Sequence, residues 1–99
     1  MNRIENIRAH LDQAELLTQL AEEAAELAQA ALKLRRARTR VNPSLVGSIE
    51  ALDNLLEELA DVSVCVRVLG LDRGPNLDQV HTIMDKKLER WATRLEGTT

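Results

Sequence analysis

Apolar residues recur along this chain with a helical period almost throughout. Ile4, Ile7 and Leu11 stand three and four residues apart and predict a short first helix over residues 3–12. A longer helix is expected from about Gln13 to Arg38. Its stripe is Leu16, Leu20, Ala24, Leu27, Ala31 and Leu34, widened by Leu17 and Ala28. The segment from Thr39 to Ser44 breaks the period. There Asn42 ahead of Pro43 makes an N-cap and first-turn pair, with Ser44 as the other candidate cap. A third helix runs to about Leu69 through Leu45, Ile49, Leu52, Leu56, Leu59 and Val66, and Gly70 ends it. Asn76 is the expected cap of a fourth, in which Val80, Met84, Leu88, Trp91 and Leu95 share a face. The tail from Gly97 is expected to fray. This is the pattern of an all-α, antiparallel bundle of about four helices.

Composition agrees. The chain has 99 residues, 44% of them hydrophobic, yet Trp91 is its only aromatic residue. Leu, Ala and Val must supply the packing, which suits helices better than strands. The length fits one domain over residues 1–99, with a thin core unless copies associate. No apolar run is long enough for a membrane span. The opening Met1-Asn2-Arg3-Ile4-Glu5 lacks the apolar stretch of a signal peptide, and the single cysteine, Cys65, cannot form an internal disulfide. A reduced, cytoplasmic protein is the expectation.

The net charge of −3 is less informative than its distribution. No Lys or Arg occurs between Arg8 and Lys33, a stretch holding Asp12, Glu15, Glu22, Glu23 and Glu26. None occurs between Arg40 and Arg67, where Glu50, Asp53, Glu57, Glu58 and Asp61 lie. The bases gather instead at Lys33 to Arg40 and at Lys86, Lys87, Arg90 and Arg94. With no basic helix face bearing aromatic platforms, a nucleic-acid partner is not expected.

Residues three apart share a helix face, so Glu23 pairs with Glu26, and Glu58 with Asp61. Antiparallel packing would let the two pairs face each other, and four convergent carboxylates repel strongly in a partly dry site. A hard divalent cation resolves that repulsion. Oxygen-only ligands suit Mg²⁺, with Mn²⁺ possible, while scattered His and Cys argue against zinc. A di-iron bundle wants Glu-x-x-His on two helices, and neither His10 nor His81 supplies it. Either acidic motif alone reads more readily as a solvated helix face. Their recurrence on consecutive long helices without bases favours the metal.

The order Glu22-Glu23-x-x-Glu26, then Glu58-x-x-Asp61 one helix later, resembles the signature of the MazG-like, all-α nucleoside triphosphate pyrophosphohydrolases. The resemblance spans roughly residues 13–95. It implies Mg²⁺-dependent cleavage of a (deoxy)nucleoside triphosphate between the α- and β-phosphates, giving a monophosphate and pyrophosphate. By this resemblance Glu23, Glu26, Glu58 and Asp61 hold the metal ions. Glu22 then helps orient or deprotonate the attacking water. It also implies pairing of copies, as a homodimer or homotetramer with the site near the subunit boundary. Phosphoribosyl-ATP pyrophosphohydrolase, of the same fold, is the nearest rival activity. A non-catalytic helical dimerisation or adaptor module is the alternative of a different class.

Triphosphate chemistry also asks for cations. Lys87, Arg90 and Arg94 lie at spacings of three and four, so one face of the fourth helix offers three phosphate partners. Gln19, one turn before Glu22 and Glu23, is a further candidate for substrate contact. Cys65 is expected to be a buried core residue on the side of Asp61, and Trp91 a core or interface residue. Lys33 and Arg38 are weaker phosphate candidates, and the two histidines are assigned no chemistry.

Overall fold

The computed structural model describes residues 1–39 and 45–97, and in it the chain forms α1 (Arg3–His10), α2 (Gln13–Thr39), α3 (Leu45–Val68) and α4 (Gly74–Glu96). Among the described residues there is no strand. The proposed caps Asn42, Pro43 and Ser44, the base Arg40 and the last two residues lie outside the described residues.

The first two helices open with the same device. Asn2 Oδ1 accepts from the Glu5 N–H at 2.8 Å, and Glu5 Oε2 accepts from the Asn2 N–H at 3.3 Å. At the head of α2, Asp12 Oδ1 accepts from the Glu15 N–H at 2.8 Å, and Glu15 Oε1 accepts from the Asp12 N–H at 3.4 Å. Each pair satisfies amide groups that a helix leaves open at its start. Asp12 can cap α2 only from outside a helix, so α1 stops at His10, short of the expected residue 12, and Leu11 is extended. No membrane-crossing helix is present among the described residues, since none is long and apolar enough.

Helix α2 packs along α3. Leu16 at the start of α2 lines one depression with Val68 and Leu69 at the end of α3, so the two run antiparallel. The inner row of α2 is Leu16, Leu20, Glu23, Leu27, Ala30, Leu34 and Ala37, all buried or half-buried. That of α3 is Ser48, Ala51, Leu55, Glu58, Val62, Cys65 and Leu69. Both rows alternate steps of three and four, as in the seam of a coiled coil.

The expected stripes need correction. Ala24, Ala28 and Ala31 of α2 are exposed, as is Leu17, and the seam positions beside them belong to Glu23 and Ala30. On α3, Ile49, Leu56 and Leu59 are about half exposed, at 52%, 53% and 48%. Helix α3 is apolar on more than one side, and a single partner helix covers one stripe. Of the expected row, Leu52 and Val66 are half-buried, and Ile49, Leu56 and Leu59 lie on the outer side.

Helix α1 is tied to the end of α3. Arg8 Nε donates to the Val68 carbonyl at 2.6 Å in a part-buried position. This places a cation on a carbonyl that the helix itself leaves open.

The chain divides into two compact units, Met1–Leu69 and Gly70–Thr99. Gly70 takes φ +74°, a left-handed conformation suited to glycine, and ends α3 where the sequence places the stop. In the second unit α4 starts at Gly74, with Pro75 in its first turn. Proline sets a helical φ and needs no amide partner there, so the helix begins ahead of Asn76. Asn76 is therefore not the cap, and its Nδ2 donates to the Gly70 carbonyl at 3.3 Å. Val80, Met84, Leu88, Trp91 and Leu95 do share a face, and all five are exposed.

Candidate metal centre

Two glutamates interrupt the α2/α3 seam. Glu23 follows Leu20 and precedes Leu27 in the inner row, and Glu58 stands between Leu55 and Val62 in the facing one. Both are half-buried where the seam elsewhere carries apolar or small residues. Glu26, nearly one turn after Glu23, is exposed at the edge. One carboxylate oxygen from each of Glu23, Glu26 and Glu58 lies within 4.8 Å of the others.

The remaining lone pairs are unevenly served. Glu23 Oε1 accepts from Gln19 Nε2 at 2.8 Å. Glu23 Oε2 and Glu58 Oε2 are buried and have no hydrogen-bond partner. Polar atoms taken out of water are normally partnered, so two orphaned anionic oxygens in one cluster are costly as they stand.

The electrostatics say the same. Loss of hydration pushes the Glu23 carboxyl above the usual glutamate range, and repulsion from Glu26 and Asp61 adds to it. The Gln19 amide acts in the opposite direction. Burial also raises the Cys65 thiol, with further contributions from the charges of Glu23 and Asp61. Asp61 is exposed and belongs to this field, while the close oxygens come from the three glutamates.

An oxygen-only donor set with orphaned anionic atoms fits a hard divalent cation, which would give those atoms a partner and cancel the mutual repulsion. Such an ion supplies charge for phosphate oxygens and acidifies a bound water. Soft or zinc-type ligation does not suit this set, whose three converging donors are all carboxylate oxygens.

The other expected site residues divide between the units. Gln19 and Glu22 line a shallow depression of about 390 Å³ together with Leu11, Ala14 and Thr18 on the outer side of α2. Gln19, expected at the substrate, spends its amide on Glu23. Its four-residue spacing from Glu23 was the signal for that contact. Lys87, Arg90 and Arg94 line a depression of about 350 Å³ on α4, and Trp91 stands among them.

No family model, curated protein or solved structure matches the chain.

Proposed function

We propose that this chain is a divalent-metal-dependent nucleoside triphosphate pyrophosphohydrolase of the MazG-like kind. It converts a (d)NTP to the (d)NMP and pyrophosphate. The observation that carries the reading is the convergence of Glu23, Glu26 and Glu58 across two facing helices, with buried oxygens of Glu23 and Glu58 left without partners. The order of the acidic residues along the sequence, Glu22-Glu23-x-x-Glu26 and then Glu58-x-x-Asp61, supports it independently.

In this reading Glu23, Glu26, Glu58 and Asp61 hold Mg²⁺ or Mn²⁺. Phosphoanhydride cleavage needs little covalent help from a protein and much positioning and charge neutralisation. Water attacks the α-phosphorus, the bond to the bridging oxygen breaks, and pyrophosphate leaves with the electron pair. Glu22, exposed one residue before Glu23, takes the water's proton. Lys87, Arg90 and Arg94 neutralise phosphate oxygens. The protein works as a homo-oligomer.

The test is pyrophosphate release from a panel of NTPs, dNTPs and phosphoribosyl-ATP, with Mg²⁺, Mn²⁺ or EDTA. Metal-dependent release of pyrophosphate and a monophosphate from an NTP or dNTP supports the proposal. Turnover of phosphoribosyl-ATP alone moves the assignment to that activity. Silence across the panel from a folded sample overturns the enzymatic reading and leaves the adaptor.

A further inference from the structure

Three cations share one face of α4, and an exposed indole stands among them. Lys87, Arg90 and Arg94 line a depression of about 350 Å³ with Trp91, wholly within the unit Gly70–Thr99. Small-molecule sites occupy about 300–1,000 Å³, so the space suits a compact ligand. Trp91, expected in the core or at an interface, is 62% exposed, and it is the only aromatic residue of the chain.

The cations have no local counter-charge. No Asp or Glu stands three or four residues from Lys87, Arg90 or Arg94. At those spacings they neighbour one another instead, and like charges one turn apart destabilise a helix. An anion in the depression removes that repulsion. Turning about 100° per residue, Trp91 lies about 40° from Lys87 and about 60° from Arg94. Asp78, Asp85 and Glu89 lie about 120° or more from it, on the other border of the apolar stripe. The indole therefore belongs to the basic edge.

The two kinds of group define a ligand. An indole face takes a planar ring by stacking, and Arg and Lys take phosphate oxygens. The three cations span seven residues, about 10 Å along the axis, which suits a short polyphosphate. Single-stranded nucleic acid binds across successive aromatic platforms, and this chain has one aromatic residue. An anionic membrane surface would meet the acidic border of the same stripe as well as the basic one.

We infer that Trp91 is the platform on which the base of a nucleoside polyphosphate stacks, with the phosphates on Lys87, Arg90 and Arg94. This deepens the proposed function, on which the choice of a nucleotide rests. Stacking reads the area of a ring and not its hydrogen-bonding edge. The site therefore accepts every base and favours purines over pyrimidines. None of these contacts needs the metal, so the nucleotide binds α4 in EDTA.

The experiment is nucleotide binding to the full chain in EDTA, where turnover plays no part. Trp91 is the only tryptophan and tyrosine is absent, so intrinsic emission reports this position alone. Acrylamide should quench Trp91 in the free protein, and ATP should shield it. Inorganic tripolyphosphate, which has no ring, should compete with ATP without shielding the indole. By calorimetry Trp91→Ala should weaken ATP binding about 5- to 150-fold and leave tripolyphosphate binding as it was, with helical CD retained. Trp91→Phe should restore most of the loss. The double variant Arg90→Gln, Arg94→Gln should weaken both ligands. ATP should bind more tightly than CTP, and a level or reversed order overturns the inference. So does an indole that acrylamide cannot reach in the free protein, an ATP affinity no greater than that of tripolyphosphate, or a Trp91→Ala variant that binds ATP undiminished. An oligo(dA) strand that binds more tightly than ATP overturns the assignment to a free nucleotide. Metal-dependent turnover without shielding of Trp91 refutes the platform and leaves the enzymatic reading standing. Shielding without turnover of any nucleotide refutes that reading and leaves the platform.

Discussion

The Gln19 amide donates to Glu23 Oε1 at 2.8 Å and leaves Oε2 of the same carboxylate as the buried oxygen without a partner. A carboxylate oxygen can accept only from the NH₂ of the amide, so the chemistry orients Gln19 as well. Groups that orient a metal ligand affect affinity almost as the ligands do. Gln19→Leu should weaken Mn²⁺ binding about 10- to 100-fold by calorimetry. Gln19→Glu should weaken it at least as much, by adding a like charge in place of a donor. If both variants bind as the wild type does, Gln19 is only a surface glutamine.

Removing a carboxylate from the seam should separate stability from activity. Glu23→Gln and Glu58→Gln keep the shape of the side chain and delete a charge from a repelling cluster. Each is expected to lower metal-dependent pyrophosphate release by more than about 100-fold. Each should also raise the melting temperature of the metal-free protein. Glu15→Gln, at the head of α2, should leave pyrophosphate release within about twofold, as substitutions outside such a site usually do. Full activity in both seam variants would remove the metal centre from the mechanism.

The pH dependence follows from the raised Glu23 carboxyl. A folded state that holds this proton more tightly than the unfolded chain is favoured at low pH. As pH rises past the ordinary glutamate value of 4.5, the unfolded chain ionises first and stability falls until the folded carboxyl has also ionised. In EDTA the melting temperature should therefore decline from about that pH upward, whereas a carboxylate stabilised by its surroundings would give the opposite slope. Glu23→Gln should flatten the decline, and saturating Mg²⁺ should reverse it, since an ion binding the folded state adds stability by mass action. A melting temperature that climbs over the same interval in EDTA would show that the cluster is not under repulsion.

Much of this was legible in the residues themselves. The helical period, the stop at Gly70 and the two acidic motifs are local signals, and each has a local physical cause. The face that α3 buries is not local. Its apolar residues satisfy two rows, and only the partner helix chooses between Ile49-Leu56-Leu59 and Leu55-Val62-Cys65. Glu23 and Glu58 were read as facing carboxylates, but their seat inside the packed seam was hidden because a charged residue is not expected there. Asn76 misled for a simpler reason. Asparagine caps helices well, but Pro75 had already committed the preceding turn.

The register of the seam gives the last prediction, which turns on two adjacent alanines. Ala30 is 1% exposed at the α2/α3 contact, whereas Ala31 beside it faces outward. A larger side chain at a filled position must push helices apart or leave its rotamer, at a cost of about 1–3 kcal/mol. Ala30→Leu should therefore destabilise the fold by roughly that amount in urea unfolding. Ala31→Leu, at a solvated helix position, should stay within about 0.5 kcal/mol of wild type. The contrast also discriminates between the two stripes, since a seam through Ala24 and Ala31 would reverse the order. Widening the seam at Ala30 should in addition weaken Mn²⁺ binding, because Leu27 and Ala30 set the helix spacing next to Glu23 and Glu26.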